Sequence, residues 1–171
     1  YPHDPLVIGK NFSNRDWYKG VSKNWQPYVS EFYMRMAKPA RYLFTIAIPL
    51  IDLNNENILG ILVMQPGENY IKNAVANINI PGAQIYILDK HGNLIYHPKS
   101  VSDRIVNLSH VPVIQKSLKG KEGIERTLDP ISKEPVLAAY HPVSEYGWSV
   151  VVTRHESEVF APVRKITLWL I

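Results

Sequence analysis

Three residues near the start of the chain have the side chains to recognise a small molecule. Arg15, Trp17 and Tyr18 lie at the predicted start of a helix, where free backbone N–H groups and the helix dipole favour an anion. An arginine can fork onto a carboxylate, and aromatic rings beside it can enclose an apolar body or face a cation. The alternative interpretation is a surface arginine next to two aromatic residues that pack on a sheet.

Further candidates for ligand contact follow this helix along the chain, and they are Tyr28, Ser30, Tyr33 and Gln65. Alternation along a strand would place Tyr28 and Ser30 on one face and Tyr33 on the other. Gln65 ends a predicted strand, from which its amide could reach a pocket. Each tyrosine also fits a packing role, and Gln65 also fits a solvated strand end.

Composition and motifs give little support to other kinds of site. The six histidines show no metal-binding spacing, and no cysteine supports them. The chain contains no nucleophile elbow, no P-loop and no G-x-G-x-x-G motif, so we expect no catalytic residues, no metal and no cofactor. The net charge of +4 comes without a basic stripe, which argues against a nucleic acid partner. The absence of cysteine fits an extracytoplasmic location without proving one.

The region around the three recognition residues recurs later in the chain. Asn11–Lys19 returns in degraded form as Asn107–Gln115, at an offset of 96 residues. An offset of this length predicts two tandem modules rather than a repeat array. At the positions of the three recognition residues, the second copy has Val111, Val113 and Ile114. The pattern therefore predicts one scaffold used twice, with recognition chemistry in the first copy only.

The elements of the second copy can be predicted from its periodicity and turn residues. We predict strands over 83–88 and 94–97, a helix capped by Ser109 with Pro112 in its first turn, strands over 123–128, 136–141 and 148–153, and a helix from about 156. The last turn between strands is expected to hold Pro142 and Gly147. This order predicts a five-stranded antiparallel sheet with its helix covering one face.

The first copy is expected to repeat this order. Ser13 and Asp16 are interpreted as an S-x-x-D cap, followed by strands over 28–34, 42–48 and 59–65 and a helix over 69–77. Tyr1 corresponds to Tyr96, so we expect most of the first copy's opening hairpin upstream of this chain. The predicted organisation is a first module over 1–67, a linker helix over 68–79, a second module over 80–155 and a C-terminal helix over 156–171.

The chain ends in an apolar run, Ile166–Ile171, directly after Arg164 and Lys165. One interpretation is an amphipathic helix with a frayed end. The other is the first turns of a membrane-spanning helix, with Trp169 near the interface. Six residues do not separate the two.

Two stretches resemble the double Cache (dCache) family of tandem, PAS-like sensors, which are extracytoplasmic parts of prokaryotic histidine kinases and chemoreceptors. They are Asn11–Lys19 with Tyr28–Ser30, and Ala138–Val143 with Gly147–Val150. The resemblance covers nearly the whole chain. It implies an α+β fold of two Cache modules, each an antiparallel sheet of about five strands with a flanking helix, the first one N-terminally incomplete. It also implies a pocket in the membrane-distal first module and a transmembrane helix after the second.

The amino-acid-sensing subgroup is similar to this chain at Arg15, Trp17, Tyr18 and Tyr33. In that subgroup the arginine and aromatics hold the ligand carboxylate, and a late aspartate holds the amine. This chain has Gln65 in place of the aspartate and Lys10 in place of a tyrosine. Because a buried ammonium without a charged partner is costly, we predict a small organic ligand that is anionic or neutral.

The resulting hypothesis is an extracytoplasmic, membrane-tethered sensor domain of a histidine kinase, without catalysis of its own. A chemoreceptor is the alternative output, and a homodimer is compatible with either. A hypothesis of another class is a protein-interaction module, which predicts an exposed apolar patch instead of a pocket. A hydrolase or lyase would need convergent titratable groups, which the sequence does not show.

Overall fold

A computed structural model describes residues 8–34, 42–66, 68–78, 80–98 and 104–167. Within these ranges the helices are α1 (Asp16–Ser22), α2 (Glu68–Ala76), α3 (Pro112–Leu118) and α4 (Glu156–Thr167). The first five strands are β1 (Tyr28–Val29), β2 (Tyr33–Met34), β3 (Tyr42–Leu43), β4 (Ile46–Ile51) and β5 (Ile58–Met64). The other five are β6 (Ala83–Leu88), β7 (Leu94–Tyr96), β8 (Gly123–Leu128), β9 (Pro135–Val143) and β10 (Trp148–His155).

The chain divides into two compact units. The first unit comprises Tyr1–Glu31 and Phe44–Pro66, and the second comprises Phe32–Leu43 and Gly67–Ile171. The strand pair β2–β3 therefore groups with the second unit, although the sequence places it in the first module. One contact that holds this segment is the Phe32 N–H, which donates to the Asp89 carboxylate at 3.3 Å.

The first unit is a three-stranded antiparallel sheet in the order β1-β4-β5, with α1 packed on it. Val21 of α1 and Ala47 of β4 are fully buried between helix and sheet. The prediction of one strand over 28–34 is wrong, because Ser30 takes its side chain into the backbone hydrogen bonding. The Ser30 Oγ accepts from the Thr45 N–H at 2.8 Å and donates to the Glu31 carbonyl at 2.9 Å, and strand pairing stops there.

The second unit contains the predicted five-stranded antiparallel sheet, which is confirmed in the order β7-β6-β10-β9-β8. Helix α3 covers one face and packs on β9 and β10. Its apolar residues join one core with inward-facing strand residues, comprising Tyr86, Leu88, Leu94, Leu108, Val111, Val113, Ile114, Ala138, Tyr140 and Val151.

One turn prediction in this sheet is wrong. Pro142 lies inside β9, where it pairs with Ser149, and the turn comprises residues 144–147. Proline is tolerated at this point because the pairing of β8 with β9 ends at Tyr140, so no neighbour on that side needs an N–H from residue 142. Gly147 has a φ of 68°, which fits the left-handed conformation that the turn requires.

The two units share a scaffold. Helices α1 and α3 each have seven residues and begin and end 96 residues apart. The strands that follow them also have the same neighbour order, β1-β4-β5 in the first unit and β8-β9-β10 in the second. The repeat that the sequence shows is therefore a repeat of structure.

Candidate ligand-binding site

An asparagine turn sets the start of each repeated helix. The Asn11 Oδ1 accepts from the Ser13 N–H at 2.8 Å, and the Asn107 Oδ1 accepts from the Ser109 N–H at 3.1 Å. An Asn side chain that bonds the backbone two residues on is an Asx turn. The backbone then closes the next turn in both copies, from residue 15 to residue 12 at 2.9 Å and from residue 111 to residue 108 at 3.0 Å.

Because of this turn, the helix caps predicted at Ser13 and Ser109 are wrong. The N-cap residues are Arg15 and Val111, both extended, and neither makes a side-chain cap hydrogen bond. The Ser109 hydroxyl donates instead to the Asn107 Oδ1 at 2.6 Å. Asp16 is the first residue of α1, and its carboxylate accepts a hydrogen bond from the Tyr28 hydroxyl at 3.2 Å.

An open cavity with a volume of about 460 Å³ lies in the first unit, between the start of α1 and the strand β5. This volume is within the range of small-molecule sites. Two predicted site residues, Trp17 and Tyr18, line the surface. The full lining in the described part of the chain is Lys10, Asn11, Phe12, Ser13, Trp17, Tyr18, Trp25, Ile58, Leu59, Gly60 and Ile61.

Aromatic rings form one wall of this cavity. The ring of Trp17 lies 6.0 Å from that of Phe12 and 6.1 Å from that of Tyr18, with an interplanar angle of 72° in the second pair. Such edge-to-face and tilted pairs are favourable ring arrangements. Since Trp17 and Tyr18 are only half-buried, part of each ring remains available to a ligand.

Lys10 is the only charged residue of the cavity lining in the ranges that the structure describes, and no Asp or Glu of those ranges joins it. The lining therefore favours negative charge over positive charge. Arg15 is exposed and is not part of the lining. Its predicted contact with a ligand stays a prediction.

The other predicted residues lie outside the cavity lining. Tyr28 packs its ring against Gly20 of α1 and bonds Asp16, so its visible contacts are structural. Ser30 is buried, and its hydroxyl is hydrogen-bonded to the backbone. Tyr33 pairs with Leu43 in the second unit, and Gln65 is exposed after the end of β5. The structure thus brings together two of the seven predicted residues, and ligand contact by the other five stays a prediction.

Trp25 is a lining residue that sequence reasoning missed. Its φ is +52°, in the left-handed region that bulky residues rarely adopt. The Trp25 N–H donates to the Val21 carbonyl at 2.9 Å, so this conformation closes the end of α1 and carries the indole to the cavity. The sequence signal was an aromatic residue shortly after the helix, where a glycine or asparagine is more usual.

The equivalent place in the second unit is filled. Val111, Val113 and Ile114, which stand at the positions of Arg15, Trp17 and Tyr18, are 7%, 1% and 0% exposed. All three belong to the apolar core beneath α3. Trp17 and Tyr18, which border the cavity in the first copy, are therefore replaced by side chains that fill the core of the second.

A buried polar cluster closes one end of the second unit's sheet. Asp129 is 3% exposed and accepts hydrogen bonds from the hydroxyls of Tyr86 at 2.8 Å and Thr153 at 3.0 Å. Burial alone would raise the pKa of Asp129, but these hydroxyls and the N–H groups of Ser132 and Ile131 outweigh it and hold the pKa below its ordinary value. Burial and the bond to Asp129 raise the pKa of Tyr86. Because every partner is satisfied, the cluster is structural.

A second polar cluster ties α3 to the sheet. The Lys116 Nζ lies 2.6 Å from the Glu125 carboxylate, which also accepts from the Tyr140 hydroxyl at 2.6 Å. The hydrogen bond to Glu125 raises the pKa of Lys116, and the bonds from Lys116 and Tyr140 lower the pKa of Glu125. The residue 96 positions before Lys116 is Gly20, so the first copy has no such tie at that helix position.

Neither a metal site nor a membrane span is visible in the described ranges. No group of three or more His, Asp or Glu side chains there could hold a metal ion. No helix in those ranges is both long and apolar enough to cross a bilayer. The predicted membrane segment falls largely on residues 168–171, which lie outside the described part of the chain.

Comparison with known proteins gives one family match. The model dCache_1, described as a Cache domain, matches residues 1–163. No protein with curated function matches the chain significantly.

Solved structures with a similar fold include sensory domains of two receptor types. The periplasmic sensory domain of the Campylobacter jejuni chemoreceptor Tlp1 is 18% identical with a TM-score of 0.64, over 88% of this chain and 58% of that one. An extracellular domain assigned to the histidine kinase mmHK1S-Z3 is 16% identical with a TM-score of 0.66, over 90% and 58%. The ligand-binding domain of the Pseudomonas aeruginosa PAO1 amino acid chemoreceptor PctB, in complex with L-Gln, is 18% identical with a TM-score of 0.63, over 99% and 70%. The chain thus spans somewhat over half the length of the first two domains.

Proposed function

The chain belongs to the Cache domain family, and from this premise we propose that it is the extracytoplasmic sensing part of a membrane receptor. In this proposal a small organic molecule that is anionic or neutral binds in the first unit, against Trp17 and Tyr18. The observation that carries the proposal is the aromatic cavity of about 460 Å³ at α1, where the sister helix α3 has a filled core. The protein itself performs no chemistry on the ligand.

The route of the signal would run through the C-terminal helix. Helix α4 follows β10 without a linker, since β10 ends at His155 and α4 begins at Glu156. Arg126 of β8 fixes the first turns of α4, with its Nε 3.3 Å from the Glu156 carboxylate and its guanidinium 4.9 Å from the Phe160 ring centre. In this proposal a displacement of the second sheet is passed to α4 through the direct junction of β10 and α4.

A thermal-shift screen with organic acids, amino acids and polyamines tests the sensing proposal. We expect at least one acid or neutral compound to raise the melting temperature, because a ligand that binds only the folded state stabilises it. Trp17→Ala should abolish this rise. The matched control is Tyr70→Ala, an exposed aromatic of α2 outside the cavity, which should leave the rise unchanged. A panel without any response would contradict the proposal.

We propose a histidine kinase as the output of the whole receptor, with a chemoreceptor as the second candidate because similar structures include both types. The measurement is made on the full-length protein in membranes. Ligand-dependent autophosphorylation from ATP would identify a kinase. Ligand-dependent methylation of glutamate side chains would identify a chemoreceptor instead.

An interaction module remains a candidate of a different class, because the first sheet has an exposed apolar face. Ile48 of β4 pairs with Leu62 of β5, and Leu50 and Met64 lie on the same face, each between 39% and 49% exposed. Contiguous apolar surface of this kind often marks a protein contact. If it joins two copies of the chain, Leu62→Glu should convert a dimer to a monomer in analytical ultracentrifugation. A monomeric wild-type protein would remove self-association through this face.

A further inference from the structure

We infer that Lys10 selects the charge of the ligand and that Trp25 forms its second aromatic wall, so that the preferred ligand is a small carboxylate with a flat or apolar body. This inference rests on the proposed sensing function and specifies the chemical class that the cavity takes. Both residues line the cavity with Trp17 and Tyr18.

Lys10 supplies the positive charge of the cavity. It is exposed, it makes no ion pair or hydrogen bond with the described residues, and it borders a surface whose other described lining residues are uncharged. An ammonium beside apolar walls attracts an anion more strongly than it would in open water, because the local dielectric is lower. A carboxylate placed there gains a charge-assisted hydrogen bond, and a ligand ammonium would meet a like charge.

The walls of the cavity are largely apolar. Phe12, Trp17, Tyr18 and Trp25 supply aromatic surface from the chain around α1, and Ile58–Ile61 supply aliphatic surface and a glycine from β5. Gly60 has no atom within 4 Å of the place where a Cβ would stand, so the surface over β5 is open there. A flat or apolar ligand body can therefore lie between the rings and the strand.

The backbone of Trp25 supports a role beyond packing. A tryptophan held at φ +52° carries backbone strain that a glycine or asparagine would avoid. Strained residues of this kind cluster at functional sites. The left-handed conformation places the Trp25 indole at the cavity. A glycine or asparagine there would relieve the strain, but the cavity would lose this aromatic wall.

The test uses matched probes of one shape and two charges, phenylacetate and phenylacetamide, with hexanoate and hexanamide as an aliphatic pair. Calorimetry on the wild-type chain should show each carboxylate binding about tenfold more tightly than its amide. Lys10→Gln should erase this ratio, and Lys10→Arg should keep it. Lys19→Gln is the matched control, because it removes an exposed positive charge of α1 that does not line the cavity.

A second arm tests Trp25. Trp25→Asn keeps the left-handed backbone accessible and removes the ring, so it should weaken both members of each pair by a similar factor, about tenfold, without lowering the melting temperature of the free protein. An unchanged affinity in a folded Trp25→Asn variant would overturn the role of this wall.

The outcomes separate the inference from the function on which it rests. A carboxylate preference that survives Lys10→Gln, or one that falls with Arg15→Gln instead, would overturn the inference and leave the sensing function intact. If the wild type binds none of these four probes but binds a neutral or cationic compound in the wider screen, the inference also falls alone. If no compound of the screen binds, the sensing function falls and takes the inference with it.

Discussion

Helices α1 and α3 are the same structural element with different neighbours. Both follow an Asx turn, both begin after an extended residue, and both have seven residues. Helix α3 presents Val113 and Ile114 to a closed core, whereas α1 presents Trp17 and Tyr18 to a cavity. The two helices have the same length and the same start, so the cavity at α1 and the filled core at α3 reflect what surrounds each helix. The side chains at the helix start differ, and in the described residues the first sheet has three strands where the second has five.

The largest effect on stability should come from truncating a core side chain of the second unit. Ile114→Ala removes a fully buried side chain and should lower the free energy of unfolding by about 2–5 kcal/mol. Tyr18→Ala, at the equivalent position of α1, should cost less because its ring is only half-buried. Urea unfolding of the two variants measures the difference, and equal losses would mean that Tyr18 is core as well.

Removing the buried carboxylate of the second unit should produce the next largest effect. Asp129→Asn weakens bonds to Tyr86 and Thr153 and should cost about 1–3 kcal/mol at neutral pH. The folded pKa of Asp129 is depressed, so its contribution is present above the ordinary value of 3.8 and is lost as the pH falls through the folded value. The variant should therefore show a flatter acid unfolding curve. An unchanged curve would show that other carboxylates set the acid limit.

Gly20 of α1 is a third difference between α1 and α3. A Cβ at Gly20 would collide with the ring of Tyr28, whereas the equivalent Lys116 of α3 reaches out to Glu125. Gly20→Ala should therefore lower stability by about 1–3 kcal/mol despite the better helix propensity of alanine. Combining it with Tyr28→Ala should recover part of the loss. Strictly additive losses in urea unfolding would contradict this contact.

The smallest effect is expected at the polar tie of α3. Lys116 and Glu125 are partly exposed, and surface ion pairs contribute little to stability. The pKa of Lys116 is raised, so its contribution is present below the ordinary value of 10.5 and is lost as the pH rises through the folded value. Lys116→Met should thus change thermal stability only slightly at pH 7, and the difference from wild type should vanish in strong alkali.

Local patterns predicted much of the second unit. The strands over 83–88 and 123–128 and the helix from 156 lie where alternation and turn residues placed them. In such strands one face packs against the core of the same unit, so the alternation of apolar residues is visible in the sequence. The long strands predicted from 28 and from 42 are wrong because a buried serine interrupts pairing, which is a contact between segments and leaves no period.

The residues that line the cavity could also be predicted only in part from the sequence. Trp17 and Tyr18 could be predicted because the second copy has apolar residues at their positions. Lys10 was visible as an unusual residue, but its place in the lining depends on the turn at Asn11. Trp25 depends on a left-handed backbone that residue type disfavours, so a local propensity argument could not find it.

We expect the ligand to bind in the cavity of the first unit and not in the second unit. The most direct measurement follows the indole N–H signals of the tryptophans by NMR while the most stabilising compound of the screen is added. We predict that the signals of Trp17 and Trp25 shift in a saturable way and that the signal of Trp148 in β10 does not. A shift of Trp148 with Trp17 and Trp25 unchanged would contradict the account.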